Sequence, residues 1–223
     1  MKDFLHLGVE KNDNFLRYIK HYQPKTVVLV EANPSLIEAI HKNYRDVQSI
    51  CNVVVVNKAI YTEDNKEVSL YLPAEDGIYG KPRRNASHVY SHGEFSLLPM
   101  NDWGDKTDMI EVKATAITFD KLCTDLGITT IDYLQIDTEG FDSEIINSID
   151  LEKYHIRAIR YEKWNFDPEC FTKYHSEHCH KYGKNGMKLV QDKLDSHHYK
   201  LIEISDQDGN DIIAIKQRNM QTV

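Results

Sequence analysis

Acidic residues placed directly after runs of β-prone apolar residues are the first candidates for chemistry. Glu31 follows Val27-Val28-Leu29-Val30, and Asp137 and Glu139 follow the apolar stretch at 131–136 in the block Asp137-Thr138-Glu139-Gly140. Glu162 stands near the end of a further stretch at 156–164. A carboxylate at a strand end can accept from both hydroxyls of a vicinal diol, because its two oxygens match them. Glu31 could equally be a surface acid favoured by the dipole of the helix that follows it. Asp137, Glu139 and Glu162 could form an acidic cluster that shares a proton, accepts from a ligand cation or holds a divalent ion. The plainer roles are for Glu139 to orient its own turn and for Glu162 to pair with Arg157, Arg160 or Lys163. No metal is expected.

Histidines supply the second set of candidates. Ser87-His88-Val89-Tyr90-Ser91-His92 holds two, whose near-neutral pKa suits a general base; plain solvent-exposed loop histidines are the other reading. Tyr174-His175-Ser176-Glu177-His178-Cys179-His180 holds several metal-ligand types. On a helix they point in different directions, only His175 sharing a face with His178 and Cys179. No second ligand pair at zinc-finger spacing accompanies them, and Phe171, Tyr174, His178 and Tyr182 keep the spacing of a partly buried helical face.

These residues need a scaffold, and the apolar pattern predicts one. Continuous apolar runs at 27–30 and 53–56 read as strands buried on both faces of a parallel sheet, with further strands at 4–9, 68–72, 110–115, 131–136, 156–164, 201–204 and 212–216. Between them lie helical patterns. Phe15, Leu16 and Ile19 give one face; Leu36, Ile37, Ile40 and Tyr44 give another, after Asn33 as N-cap and Pro34 at the first position. Thr118 is placed to cap a helix carrying Phe119, Leu122, Cys123 and Leu126, with Gly127 as its stop. Asp142 is placed to cap the next, which carries Ile145, Ile146 and Ile149. Further helices are expected at 167–183 and 187–194, and the turn at 206–210 predicts an antiparallel hairpin. The Gly- and Pro-rich segment at about 73–109 breaks the rhythm, and loops of that length are commonly functional or disordered. Alternating strand and helix closing on a hairpin predicts a doubly wound α/β sheet, mostly parallel and seven-stranded, with an antiparallel last strand and helices on both faces.

Composition narrows the classes. At 223 residues the chain is expected to form one domain over 1–223. Its 27 basic and 35 acidic residues give a net charge of -8, which argues against displacing counterions from nucleic acid. No stretch approaches the roughly 20 apolar residues of a membrane span. Cys51, Cys123, Cys170 and Cys179 form no CxxC pair, as suits reduced thiols. The amino terminus enters a strand at once, so no secretory leader is expected, and a soluble cytoplasmic protein is the expectation. Nothing in the sequence sets an oligomeric state.

Taken in order, Glu31-Ala32-Asn33-Pro34, Asn57-Lys58-Ala59-Ile60, Ile136-Asp137-Thr138-Glu139-Gly140-Phe141-Asp142 and Tyr161-Glu162 resemble the signature of FkbM-type methyltransferases. The resemblance spans roughly residues 3–164, with a weaker likeness at 211–215. It implies a Rossmann-like fold, S-adenosyl-L-methionine as cofactor, and a small-molecule or carbohydrate acceptor methylated on a hydroxyl. By the same resemblance Glu31 would bind the adenosine ribose, Asn57 and Ala59 would lie near the adenine, and Asp137 and Glu139 would line the methionine end and the acceptor site. Gly8 would allow close approach of the cofactor. The segment at 73–109 would cover the active site, which makes His88 and His92 candidates for the base.

The nucleotide-binding turn departs from that pattern. Where the family has an acid and then Gly-x-x-x-Gly, this chain reads His6-Leu7-Gly8-Val9-Glu10-Lys11-Asn12-Asp13-Asn14. Gly8 is kept, His6 replaces the acid, and Asn12, a residue tolerant of positive φ, stands at the second glycine. Glu10 or Asp13 could take over contacts to the methionine amine. The change motivates an alternative: a fold of this type that binds a ligand or partner without turnover. A nicotinamide-dependent oxidoreductase would also place an acid after the second strand, but it needs Gly-x-Gly-x-x-Gly, and residues 8–13 hold one glycine.

Overall fold

The run Val27-Val28-Leu29-Val30 is apolar toward both sides, so the strand that it forms must be covered on both faces. A computed structural model describes residues 3–9, 15–73, 109–138, 140–163, 185–206 and 209–217. In it the run lies in strand β2 (Thr26–Glu31), and none of its four side chains is more than 1% exposed.

β2 lies between β1 (Asp3–Leu7) and β3 (Asn52–Asn57), pairing with both in parallel. On the other side of β1 come β8 (Tyr133–Ile136) and β10 (Ala158–Glu162), also parallel. The sheet ends in a hairpin of β11 (Tyr199–Asp206) and β12 (Gly209–Lys216), with β12 antiparallel to β10. The order β11-β12-β10-β8-β1-β2-β3 is a Rossmann-like, seven-stranded, mostly parallel sheet with the last strand reversed. The expected strand and helix alternation is borne out in that architecture.

Strand alternation sorts the side chains into two layers. Phe4, Val27 and Leu29 pack with Phe15 and Ile19 of helix α1 (Phe15–Tyr22) and Ile40 of α2 (Ile37–Asn43). Leu5, Leu7, Val28, Val30, Leu134 and Ile136 face the opposite layer, with α3 (Phe119–Leu126), α4 (Asp142–Ser148) and α5 (Gly186–Ser196). Two helix ends follow the sequence reading. Thr118 accepts from the Lys121 N–H at the start of α3, and Gly127 closes it at φ +66°. Asn33 accepts from Ser35 N–H, but the turn that it caps is a 3₁₀ turn, Pro34–Leu36, and α2 begins only at Ile37.

Three expectations change in detail. The strand expected at 131–136 is broken at Asp132 into β7 (Thr130–Ile131) and β8, and that at 156–164 is broken at Arg157 into β9 (His155–Ile156) and β10. β7 and β9 leave the main sheet because they pair with each other. The strand at 4–9 ends at Leu7, where Gly8 turns the chain at φ +82°. β4 (Ala59–Ile60), β5 (Glu67–Pro73) and β6 (Met109–Ile117) form a separate small sheet in which Pro73 pairs with Met109. Pro73 and Met109, which flank segment 74–108 in the sequence, therefore lie side by side. The helix expected at 167–183, with its histidine run, lies outside the described residues. No helix among the described residues is long and apolar enough to cross a membrane.

α4 and α5 are joined by a cation. The Lys193 amine donates to the carbonyls of Ile146 (3.0 Å), Asn147 (2.9 Å) and Ile149 (2.5 Å), serving the open end of α4, and burial lowers its pKa. Lys193→Met should lower the unfolding free energy by about 1–2 kcal/mol, read as a shift of the urea midpoint. An unchanged midpoint would mean that water serves those carbonyls equally well.

Candidate active site

Ligands of doubly wound sheets bind beyond the carboxyl ends of the parallel strands, and four of the chemistry-bearing residues stand there. Glu31 closes β2, Asn57 closes β3 and Glu162 closes β10. Asp137 follows β8 and continues its ladder, donating its N–H to Leu7 O at 2.9 Å. Alternation from Leu29, Val55, Tyr133 and Arg160 puts all four on the α1/α2 side of the sheet. Tyr161 pairs with Ile136 and Glu162 with Asp211, so Asp137, Glu162 and Asp211 stand abreast on three adjacent strands.

Glu31 is 6% exposed, and its Oε1 accepts from Asn33 N–H at 2.6 Å. Its backbone is held from β3, where the Asn57 amide donates to the carbonyls of Glu31 (2.8 Å) and Ala32 (3.1 Å). Asn57 therefore positions Glu31. The Asn33 side chain is buried; its Oδ1 takes Ser35 N–H and Oγ–H, while its Nδ2 finds no acceptor among the described residues. A buried carboxylate with a spare amide donor beside it fits a ligand carrying a vicinal diol and further acceptors, as an adenosyl group does. Ala59 turns its methyl into the small sheet among Val68, Leu70, Ala114 and Ala116, with Ala32 against that cluster.

Gly8 has a reason within the protein. A Cβ there would lie 1.7 Å from the Asp137 carbonyl oxygen and 2.6 Å from its carbon. Its N–H donates to Val30 O at 2.9 Å. The glycine thus lets the β1 turn press against the end of β8, close to Asp137. His6 points into the α1 layer, fully buried, with its ring 4.7 Å from that of Phe15. The family's acidic position is here part of an aromatic layer that includes Phe4, Phe15, Tyr18 and Tyr133.

The structure corrects the reading of Asp142. It is the first residue of α4, but Phe141 occupies the cap position and no side chain caps the helix. Its carboxylate, 1% exposed, turns away to accept from Thr138 N–H at 2.9 Å, from the Thr138 hydroxyl, and from Glu162 N–H at 3.1 Å. Burial pushes its pKa up, against the opposing pull of those bonds. Nothing local in the sequence signals this, since Glu162 lies far along the chain. A second feature missed by sequence is the pair Arg160–Asp211, both nearly buried, with Arg160 Nη1 also donating to Tyr18 Oη at 2.9 Å. Burial works against the Arg160 charge, but the Asp211 carboxylate outweighs it and holds the pKa above its ordinary value.

Glu139, His88 and His92 lie outside the described residues, as do Glu10, Asn12 and Asp13. No group of three or more metal-ligand side chains suited to an ion occurs among the described residues. A cleft of about 490 Å³ lined by Thr130, Tyr154, His155, Arg157, Tyr199 and Lys216 lies at the opposite, amino-terminal rim and contains none of the candidate residues.

The family profile described as Methyltransferase FkbM domain matches residues 5–210. No curated protein matches the chain. Among solved structures, the Methanococcus jannaschii fibrillarin pre-rRNA processing protein is similar with a TM-score of 0.47 and 10% identity, over 96% of this chain and 66% of that one. An uncharacterized protein from Listeria monocytogenes serotype 4b gives a TM-score of 0.43 and 8% identity, over 100% of this chain and 64% of that one. The chain thus spans just under two-thirds of the length of each.

Proposed function

The chain belongs to the FkbM methyltransferase family, and from that premise we propose that it methylates a hydroxyl oxygen of a small-molecule or sugar acceptor, using S-adenosylmethionine. The observation that carries this reading is the gathering of Glu31, Asn57, Asp137 and Glu162 on one face of one sheet rim. S-adenosylmethionine supplies an electrophilic methyl group on a sulfonium sulfur. Glu31, pinned by Asn33 and Asn57, accepts from the two ribose hydroxyls, and the buried Asn33 amide adds a donor. Asp137 and Glu139 orient the methionine end and the acceptor, the task on which in-line transfer depends most. His88 or His92 takes the hydroxyl proton. The net charge of -8 suits an uncharged or cationic acceptor better than nucleic acid. We place the reaction in the cytoplasm, with no membrane partner.

Incubation with methyl-labelled S-adenosylmethionine and a panel of sugars and polyketide-type alcohols tests this. The expected result is a labelled methyl ether on at least one acceptor, with matching release of S-adenosylhomocysteine. Asp137→Asn should lower that rate at least about tenfold while leaving the urea midpoint nearly unchanged; full activity would remove Asp137 from the site. Retained cofactor binding with no transfer to any acceptor would favour the second reading, a binding module without turnover, which the burial of His6 at the family's acidic position supports.

A further inference from the structure

Pairing between β8 and β10 ends at Ile136 and Tyr161. One residue further stand Asp137 and Glu162, and here the Asp142 carboxylate takes over from the ladder. Its Oδ1 holds Thr138, the residue after Asp137, through both backbone and hydroxyl, and its Oδ2 holds the Glu162 N–H. Each oxygen thus fixes one strand end. All three partners are donors, so an acid meets them all, whereas an amide would turn N–H groups toward one side. Burying a charge costs stability unless it is well bonded, and these bonds go to the two strand ends, none to the helix that carries it.

We infer that Asp142 is a positioning residue that sets the spacing between Asp137 and Glu162 on the acceptor side of the site. The inference rests on the methyl-transfer reading and adds to it a residue that touches neither cofactor nor acceptor. It separates the two halves of the site: the ribose end is held from β3 by Asn57 and is independent of Asp142, while the methionine and acceptor end depends on it.

The test compares wild type with Asp142→Asn and Asp142→Glu in four readouts: S-adenosylhomocysteine affinity, kcat and KM for the acceptor, urea unfolding, and hydrogen exchange at the Glu162 amide. Asp142→Asn keeps the shape, loses one acceptor and removes a buried charge, so it should fold. Because the ribose grip is kept while the methionine end shifts, its S-adenosylhomocysteine affinity should fall by no more than about tenfold, far less than on loss of the Glu31 carboxylate; kcat should fall at least about tenfold, and the Glu162 amide should exchange faster. Asp142→Glu keeps the charge but lengthens the arm; it should not restore kcat, and it serves if the Asn variant fails to fold. A stability loss with kcat unchanged in either folded variant would reduce Asp142 to a structural role and overturn the inference. Unchanged exchange at Glu162 would overturn the bridge itself. Failure of the methyl-transfer reading shows up separately, as a wild type that binds neither adenosyl ligand or that binds them and transfers no methyl group to any acceptor.

Discussion

Glu31→Ala should weaken S-adenosylmethionine and S-adenosylhomocysteine binding by about 100-fold while leaving the protein folded. Hydrogen bonds to a charged group contribute about 1.5–3 kcal/mol each. Loss of the two from the ribose hydroxyls is therefore about 3 kcal/mol or more, which is about two factors of ten in affinity. The fold should tolerate the change. The Glu31 and Ala32 carbonyls remain held by Asn57, and Asn33 still caps the 3₁₀ turn through its own side chain. The variant also loses an acceptor for the Asn33 N–H. Glu31→Gln retains an acceptor for that N–H and a neutral partner for the diol, so its affinity should fall between the two. Titration calorimetry with S-adenosylhomocysteine, beside a urea melt, separates affinity from stability. Unchanged affinity in Glu31→Ala would sink the ribose assignment.

Gly8→Ala should have a large effect on the fold. The φ of +82° alone is a strain for an L-residue, and the added Cβ would meet the Asp137 carbonyl at 1.7 Å. That neighbour is backbone at the end of a buried strand, so it cannot swing aside as a side chain could. The turn or the end of β8 must move, at a cost of at least about 3 kcal/mol, which is a large fraction of a typical domain's stability. Insoluble expression, or an unfolding free energy lowered by that amount in a urea melt, is the expected outcome. A soluble variant with wild-type unfolding would mean that the contact between the β1 turn and β8 does not require glycine.

These two residues also mark how far the sequence could be read. Glu31 was legible because its signal is local: an all-apolar strand, then an acid, then an N-cap and a proline. Thr118 and Gly127 were legible for the same reason, since a cap and a left-handed stop act within one turn of α3. The family resemblance rests on such local blocks, and the family match agrees with it. Gly8 was recognised, but its partner was not, because the Asp137 carbonyl reaches it only through the parallel pairing of β1 with β8. Asp142 reads as a cap in the sequence because Asp at a helix start usually is one; the donors that claim it come from Thr138 and from another strand. The breaks at Asp132 and Arg157 carry no sequence signal, because β7 and β9 are defined by each other and by no residue pattern of their own. The antiparallel pairing of β5 with β6 spans a long segment and has no turn signature to announce it.

The proposed adenosyl site is the rim carrying Glu31 and Asp137, in a chain that has His6 where the family has an acid. Titration calorimetry of the wild-type protein with S-adenosylmethionine and S-adenosylhomocysteine, using NAD as the control, tests it most directly. Binding of both adenosyl ligands at about micromolar concentration, and none of NAD, is the expected result. Absence of binding to either adenosyl ligand, with and without candidate acceptors present, would contradict it and leave the binding-module reading in its place.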